Sequence, residues 1–444
     1  MPLPDCLRAI IRLSTESRPG WLLTAPGMAG LLFGVGACMI SQAAQAQVSP
    51  NNNETSAAPF VEAGEIKPLL EGLISMEDAR CLNANNNQCI PDNSISDAFS
   101  TPYILHGLVI NVTWTQLEPH SGSFSFQPID EALENIARYN ATFNAHPLRA
   151  ILRVETGQMA PDWVKNMAGG AVSIFRRSNN APITVPRFWT AEYRKAWREL
   201  QDHLAARYDV NPLIAQISNT SCAHESDEPY VNPVDSASII ALYNAGYTNE
   251  KFLNCLRASI HDYDAWHITR VDFTQNTFEN IVVDATNGEP QGKVAPTDLN
   301  PTISIIKAFR TALGEKRAII GNHDLTNPPH PANVVLYSAL QALGKPIEFQ
   351  TGSPGVPRPN GASTGEFSDW NGTIKLGADT GATAIEVWPS FSPNGKPVQD
   401  GWNPIKCNSS VPALECSGQP LDDLLRWNRE LEAQARFDRA AEGG

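Results

Sequence analysis

The sequence has few clustered basic residues, and pairs such as Arg176-Arg177 are its longest runs of Lys and Arg. Its 444 residues include 33 Lys and Arg against 47 Asp and Glu, which gives a formal net charge of −14. Nucleic-acid binding needs clustered cations opposite the phosphates. The composition therefore excludes a nucleic-acid partner and favours a neutral or weakly charged ligand.

Long apolar runs are also scarce, because no segment after residue 40 has the roughly 20 apolar residues that a membrane-spanning helix needs. The one long apolar, small-residue stretch, 21–40, follows three arginines and precedes Ala44-Gln45-Ala46. This arrangement is typical of an export signal with its cleavage site. We predict a signal peptide over 1–46, a flexible leader over 47–65, and export to the periplasm or the exterior.

Two other interpretations of the amino terminus remain open. The apolar stretch could be an uncleaved anchor helix, although Pro26 and five glycines between residues 20 and 36 weaken that interpretation. The sequence Val35-Gly36-Ala37-Cys38 resembles a bacterial lipobox, in which Cys38 would be acylated. In that case the mature protein would be lipid-anchored.

Common catalytic and cofactor motifs are missing. No GxGxxG or P-loop sequence follows a predicted strand, and neither GxSxG nor HExxH occurs. These absences count against nucleotide-binding, esterase, protease and phosphoryl-transfer functions, and we expect no cofactor. The trio Asn322-His323-Asp324 offers too few metal ligands for a convincing metal site, so hydroxyl recognition or capping is the better interpretation.

Six of the eight cysteines lie beyond the predicted signal. Neither CxxC spacing nor a Cys/His zinc pattern occurs among them, and an even number behind a signal peptide suits disulfides. Proximity along the chain favours pairing Cys81 with Cys89, Cys222 with Cys255, and Cys407 with Cys416.

Short apolar runs that alternate with amphipathic segments predict a parallel sheet with crossover helices. Strands are predicted at 69–76, 107–113, 150–154, 214–219, 270–274, 318–321, 347–350 and 383–388. Helices are predicted at 129–139, 191–208, 249–263, 301–313 and 332–343, with a closing helix at 421–435. Eight βα units indicate an α/β protein with a single (β/α)8 TIM barrel, with loop insertions, over 66–438. A doubly wound open sheet is the alternative.

Three segments carry a resemblance to a known group of enzymes. They contain GLVINVTW (107–114), LEP (117–119), GSFSF (122–126) and ID (129–130), then ILRV (151–154) with the loop residues Gly157, Ala160-Pro161 and Trp163, then RYD (207–209). These resemble strands two to four of clan A glycoside hydrolases, the β-galactosidase-like and cellulase-like barrels. The resemblance covers about 110 residues and implies cleavage of glycosidic bonds.

The resemblance also implies two catalytic carboxyl groups. The general acid/base of the clan is a Glu after strand four, usually within Asn-Glu, and Glu225 is the candidate here. This sequence departs from the pattern because His224 replaces the Asn, and Asp227 and Glu228 compete for the role. Glu118 of the LEP turn is interpreted as structural.

The second carboxyl group has two candidates. Alternation along the strands points Glu348 and Gln350 into the barrel, and it does the same for Glu386. Strand order favours Glu348, because the clan's nucleophile follows strand seven. Position near the mouth of the barrel favours Glu386. Either residue could instead be a buried structural carboxylate paired with Arg153.

Sugars present apolar faces edged with hydroxyl groups, so their sites combine aromatic platforms with hydrogen-bonding side chains. The candidates for substrate binding lie at strand ends or in the loops that follow, namely Trp114, Arg153, Trp163, His224, Gln275, Asn322, Gln350 and Trp388. We expect an exported, retaining glycosidase that acts on an oligo- or polysaccharide. A barrel that binds carbohydrate without cleaving it is the alternative.

Overall fold

The structure is a computed structural model, and its described residues form one barrel. It describes residues 65–76, 105–177, 179–225, 227–229, 231, 235–276, 280–295, 298–352, 370–387 and 421–442.

Eight parallel strands close into a barrel in the order β1-β12-β11-β10-β7-β6-β3-β2. They are β1 (Gly72–Ser75), β2 (Leu105–Thr113), β3 (Arg149–Glu155), β6 (Ile214–Ser218), β7 (Arg270–Thr274), β10 (Ala318–Leu325), β11 (Ile347–Thr351) and β12 (Ala382–Val387). The closed parallel barrel confirms the predicted (β/α)8 fold, and every predicted strand has its counterpart within a few residues. An open doubly wound sheet is wrong, because β1 pairs with both β2 and β12.

Helices follow most of the barrel strands. They are α1 (Trp114–Leu117), α2 (Gln127–Thr142), α3 (Asp162–Lys165), α4 (Ala191–Tyr208), α5 (Ser236–Asn244), α6 (Asn249–Ser259), α7 (Leu299–Arg317), α8 (Pro331–Leu343), α9 (Trp370–Asp379) and α10 (Leu421–Glu442). Side chains of Thr190, Asp235 and Thr248 cap helices by accepting a backbone N–H of the first turn. The predicted closing helix is present as α10 and contacts β1 and β12.

Two antiparallel hairpins interrupt the regular βα order, and the sequence analysis missed both. The first pairs β4 (Val172–Phe175) with β5 (Pro182–Val185) after β3, and the second pairs β8 (Ile281–Val283) with β9 (Pro290–Val294) after β7. Both hairpins contact α5. They follow the carboxyl ends of their barrel strands, which is the end where the sites of such barrels lie.

The interior of the barrel has an apolar layer and a polar layer. On β2, Val109 packs inside, whereas the flanking Leu108 and Ile110 pack outward against the helices. The apolar layer is formed by Leu70, Ile74, Val109, Ile151, Ala215 and Ala384. Two residues further along β3 and β12 stand Arg153 and Glu386, so the polar layer lies nearer the carboxyl ends of the strands.

One predicted disulfide joins Cys222 to Cys255, with the two Cα atoms 6.1 Å apart. It ties the segment after β6 to α6. The other two predicted pairs, Cys81 with Cys89 and Cys407 with Cys416, lie outside the described residues, as does Cys38. Among the helices that the structure describes, none combines the length and apolarity that crossing a membrane requires.

Candidate active site

The segment after β6 is held firmly to the barrel before it reaches the acidic residues. Thr220 donates its hydroxyl to the carbonyl of Val154 at 2.6 Å, and Thr156 donates its own to the carbonyl of Thr220 at 3.0 Å. Tyr193 donates to the carbonyl of Ser221 at 2.9 Å. These bonds and the disulfide at Cys222 fix where the acidic loop begins.

Gly157 allows this loop to lie close to the end of β3. Its φ is +57°, and a Cβ built there would lie 2.3 Å from the carbonyl oxygen of His224. The backbone N–H of Gln158 donates to that same oxygen at 3.1 Å. A side chain at position 157 would therefore push His224 and Glu225 away from the barrel.

Arg153 and Glu386 form a buried ion pair at the centre of the polar layer. A guanidinium N–H of Arg153 donates to Oε1 of Glu386, and the amide of Gln350 donates to its Oε2 at 3.0 Å. Burial alone would raise the pKa of Glu386, but the charges of Arg153 and His323 and the hydrogen bonds it accepts outweigh burial and lower it to about 2. Glu386 is thus ionised at neutral pH.

Glu348 lies deeper in the barrel than Glu386. In the register of β11 and β12, Glu348 is paired with Ala384, whereas Gln350 is paired with Glu386. Gln216 donates its amide to Oε2 of Glu348 at 2.8 Å. Burial, followed by the negative charges of Glu386 and Asp272, raises the pKa of Glu348 well above its ordinary value.

Asp272 is a third carboxyl group inside the barrel, and the sequence analysis missed it. It is fully buried on β7 and accepts a hydrogen bond from the hydroxyl of Ser218 at 2.7 Å. Burial raises its pKa, an effect that the charge of Arg153 and the bond from Ser218 only partly oppose. The sequence pattern could have revealed it. Asp272 lies between the apolar residues Val271 and Phe273. Glu348 and Glu386 each lie between two apolar residues in the same way.

The loop after β6 brings acidic side chains to different surroundings. Glu225 accepts a hydrogen bond from the backbone N–H of Arg177, next to the β4–β5 hairpin, at 2.7 Å. Its Oε1 lies 3.6 Å from Nε2 of His224. Asp227, by contrast, lies 3.6 Å from Nε of Arg153 and therefore faces the polar layer. Arg153 thus lies between Asp227 and Glu386.

Glu228 also contacts the polar layer, by way of one residue on β10 and one residue just after β7. Its Oε1 lies 3.3 Å from Nδ1 of His323, and its Oε2 accepts a hydrogen bond from the amide of Asn276 at 2.8 Å. Burial would lower the pKa of His323, but its interaction with Glu228 and the charge of Glu386 outweigh burial, and the pKa is raised. Asn276, His323 and Glu228 therefore form a polar cluster at the mouth of the barrel.

Several buried polar atoms of this region have no hydrogen-bond partner among the described residues. They are Nη1 of Arg153, Oε1 of Gln216, Oδ1 of Asp272, Oε1 of Gln275 and Nε2 of His323. A buried polar atom without a partner costs about 1 to 3 kcal/mol. Their concentration in one layer indicates that water or a polar ligand satisfies them, which is a property of a binding site.

The predicted aromatic and amide residues have different environments. Trp114 is fully buried, donates its indole N–H to Glu118 at 3.0 Å, and packs edge-on against Trp163 and Trp197. This is the position of a core side chain, and Glu118 is the structural anchor that the sequence predicted. Trp163 is partly exposed and donates to the carbonyl of Glu118 at 3.0 Å.

Gln275 and Asn322 both lie at the ends of neighbouring strands and are fully buried. Gln275 donates to the carbonyl of Pro229 at 2.9 Å, and Asn322 donates to the side chain of Asn276 at 2.6 Å. These hydrogen bonds hold Pro229 and Asn276, which lie beside Glu228 and His323. Trp388 lies outside the described residues.

Metal binding finds no support in the parts of the chain that the structure describes. Among those residues, no group of three or more His, Cys, Asp and Glu side chains is arranged to hold a metal ion. In the trio considered from the sequence, Asp324 accepts a hydrogen bond from the amide of Asn333 at 2.8 Å, and His323 is directed to Glu228.

Known proteins resemble the chain at low sequence identity. No curated protein matches the chain. A solved structure of endo-glycoceramidase II from Rhodococcus sp. is 15% identical, with 81% of this chain and 80% of that chain covered and a TM-score of 0.43. A β-galactosidase from the psychrophilic Marinomonas ef1 is 12% identical, with 84% and 60% covered and a TM-score of 0.39.

A third solved structure is a triple mutant of an endo-beta-1,4-glucanase from Xanthomonas axonopodis pv. citri. It is 12% identical, with 82% of this chain and 100% of that chain covered and a TM-score of 0.42. In sequence, residues 106–237 match the model of glycoside hydrolase family 42, described as beta-galactosidase. The match spans β2, β3 and β6 of the closed eight-stranded parallel barrel, so this part of the chain is similar to that glycoside hydrolase family.

Proposed function

We propose that the protein is an exported glycosidase that cleaves O-glycosidic bonds of an oligo- or polysaccharide by means of two carboxyl groups. The observation that carries this proposal is Glu386, a carboxylate held ionised by Arg153 and Gln350 near the carboxyl ends of the barrel strands. Glycoside cleavage needs one ionised carboxylate, which attacks the anomeric carbon or activates water, and one protonated carboxyl group. Glu386 has the properties of the ionised partner.

We infer that the proton donor lies in the loop after β6. The resemblance to clan A favours Glu225 as the proton donor, and Asp227 and Glu228 are the alternatives. Asp227 contacts Arg153 and Glu228 contacts His323. Both contacts support the alternatives, because they bring these carboxyl groups close to the layer that holds Glu386. A donor there would protonate the glycosidic oxygen as the sugar leaves.

Sugar recognition is assigned to the polar atoms that line this layer. Arg153, Gln275 and His323 each retain a buried atom without a partner in the described structure, and Trp163 offers a partly exposed ring beside the loop after β3. Hydroxyl groups of a sugar can donate to Oε1 of Gln275 and accept from the guanidinium of Arg153. The expected substrate is therefore an uncharged or weakly charged sugar.

Turnover of a broad panel of aryl and natural glycosides tests the activity. The wild type should cleave at least one member, and Glu386→Gln should lose on the order of 10³-fold or more in kcat/KM. Glu225→Gln, Asp227→Asn and Glu228→Gln should be measured in parallel, since loss of the proton donor costs about 10²- to 10⁴-fold. Rescue of the inactive variant by a substrate with a good leaving group identifies the donor.

A binding function without cleavage predicts a different result. In that case the wild type would bind an oligosaccharide by calorimetry yet release no sugar, and Glu386→Gln would change binding only. If cleavage occurs, the anomer formed first, read by NMR, tests the retention of configuration that the resemblance implies.

Export and anchoring need separate measurements. The Cys222–Cys255 disulfide is compatible with an oxidising compartment. The amino-terminal sequence of the mature protein should begin near Gln47 if the signal is cleaved there. Detergent partitioning of the native protein beside a Cys38→Ala variant tests the lipid anchor, since only acylated protein would enter the detergent phase.

A further inference from the structure

His323 lies at the height of Glu386 in the barrel. The register of β10 and β11 shifts between Asn322 and Leu325, and this bulge places His323 opposite Gln350. Gln350 is paired in turn with Glu386 on β12. Because neighbouring strands lie about 4.8 Å apart, the backbones of His323 and Glu386 are separated by about 10 Å, with Gln350 between them. The two residues therefore stand level with each other, two strands apart.

The next residue of the bulge faces outward. Asp324 accepts a hydrogen bond from the amide of Asn333 on α8 at 2.8 Å. The side chain of His323 is 3% exposed and lies against Glu228 instead. Since consecutive residues of a strand face opposite sides, the direction of Asp324 toward a helix leaves His323 directed into the barrel.

The two nitrogens of the His323 ring have different surroundings. Nδ1 lies 3.3 Å from Oε1 of Glu228. Nε2 is buried and has no hydrogen-bond partner among the residues that the structure describes. A carboxylate that faces Nδ1 keeps a proton on that nitrogen. Nε2 is then a donor when the ring is charged and an acceptor when the ring is neutral.

Glu228 is held so that one of its oxygens faces the imidazole. Its Oε2 accepts from the amide of Asn276 at 2.8 Å, and the carbonyl oxygen of that amide accepts from Asn322 at 2.6 Å. Gln275 donates to the carbonyl of Pro229, the residue after Glu228, at 2.9 Å. These bonds fix the carboxylate from the side of the strands and leave Oε1 directed to the ring.

The charges around His323 favour its protonated form. Its charged or titratable neighbours come from four segments, namely Glu228 after β6, Asp272 on β7, Glu386 on β12 and Arg153 on β3. On β11 the residue opposite is Gln350, which carries no charge. Burial alone would lower the pKa of His323, but the contact with Glu228 and the charge of Glu386 outweigh burial and raise it.

We propose that His323 is a substrate-binding residue that acts as an imidazolium, and that Glu228 is the positioning residue that orients the ring and keeps it charged. Nε2 then donates a hydrogen bond to an oxygen of the sugar that lies beside Glu386. The inference rests on the proposed function for the place of the sugar. It also removes Glu228 from the candidate proton donors, because a carboxylate committed to an imidazolium is ionised. Glu225 and Asp227 remain for that role.

A series of leaving groups separates positioning from proton donation. Glu228→Gln should raise KM about ten-fold with little change in kcat, and by a similar factor for aryl glycosides with good and poor leaving groups. His323→Leu should raise KM by about 10- to 100-fold, since it removes a charge-assisted hydrogen bond. A Glu228→Gln protein that loses about 10²-fold or more in kcat, and regains it with a good leaving group, would make Glu228 the proton donor and overturn the inference.

The pH dependence of binding tests the charge. When the imidazolium loses its proton, Nε2 changes from a donor to an acceptor, so affinity should fall as the pH rises through the raised pKa of His323. S-linked analogues of cellobiose and lactose resist hydrolysis and are the probes for calorimetry at pH 6, 7.5 and 9. The wild type should bind at least one of them and lose about ten-fold in affinity over this range.

Two variants complete this measurement. His323→Gln keeps a neutral donor, so its affinity should depend little on pH. His330→Gln is the matched control, because His330 is also near the carboxyl end of β10 but its side chain is 53% exposed. This control should follow the wild type. A wild-type affinity that does not change with pH, or a fall with pH that persists in His323→Gln, would contradict the inference.

Nuclear magnetic resonance of isotope-labelled imidazole groups gives a readout that does not depend on activity. The signal missing from His323→Gln belongs to His323, and its pKa should lie above that of an ordinary histidine and fall in Glu228→Gln. If this is observed and an analogue binds in the expected way but no glycoside is cleaved, the proposed function fails and the inference stands. If the pKa of His323 is ordinary, or neither analogue binds, the inference fails even where glycosides are cleaved.

Discussion

Buried polar and charged groups at the two ends of the barrel differ in how completely they are hydrogen-bonded. At the amino ends of the strands, Asp209 accepts hydrogen bonds from three successive backbone N–H groups, those of His267, Ile268 and Thr269, at 2.9 to 3.2 Å. At the carboxyl ends, Arg153, Asp272 and Gln275 each keep a buried atom without a partner among the described residues. The Asp209 carboxylate at one end is satisfied by backbone donors, whereas these groups at the other end are only partly satisfied. In barrels of this type, stability residues collect at the first end and working residues at the second.

The largest effect is expected at the carboxyl end. Glu386→Gln should reduce kcat/KM on the order of 10³-fold or more, because the amide cannot supply the negative charge that the reaction needs. Its unfolding free energy, measured with urea, should change less than that of the amino-end variant described next. If the folded variant keeps its activity, Glu386 is a structural residue and the proposed functional difference between the two ends is wrong.

At the amino end, a substitution should affect the unfolding free energy more than it affects kcat/KM. Asp209→Ala leaves three backbone N–H groups without their acceptor, so the unfolding free energy should fall by about 3 kcal/mol or more. The proposed catalytic residues lie at the other end, so kcat/KM per folded molecule should change by less than about three-fold. Urea unfolding and a kinetic assay well below the melting temperature provide the two values.

The disulfide between Cys222 and Cys255 lies beside the acidic loop and should show both kinds of effect. Replacing both cysteines with Ser should lower the unfolding free energy by about 2 to 4 kcal/mol, since the bond closes a loop with a sequence separation of 33. Activity should also fall, because Cys222 precedes Glu225 by three residues. The wild type treated with a reductant should lose at least as much stability as the double variant, because a reductant also breaks the other two predicted disulfides.

Per pH unit, the smallest effect concerns Lys67 at the amino end. Burial lowers its pKa to about 7, which the charge of Asp209 only partly opposes. Because the unfolded side chain titrates near 10.5, the unfolded chain binds more protons between these pH values, and this residue makes stability rise with pH by at most about 1.4 kcal/mol per unit. Lys67→Met should remove that slope. Urea titrations at pH 7, 8.5 and 10 measure it, and parallel curves for the two proteins would contradict the assignment.

Much of the fold could be predicted because the residues of a strand or helix that face the core recur at a regular spacing along the sequence. Val271 and Phe273 flank Asp272, and Ile347 and Phe349 flank Glu348, as expected when one face of a strand meets helices and the other meets the barrel interior. The two hairpins were missed because β4 has only four residues and β8 only three. Strands this short hold too few residues to establish the alternating apolar pattern on which prediction depends.

The sequence by itself determined that eight strands would form a parallel barrel, that Glu348 and Glu386 would point inward, and that Glu225 would follow the fourth barrel strand. Only the tertiary structure decided the state of those carboxyl groups. Arg153 and Glu386 are 233 residues apart, and Gln216 and Glu348 are 132 apart. The charge of a buried carboxyl group depends on which donors and charges lie within a few ångströms of it, and in a closed barrel those neighbours come from strands that are distant along the chain.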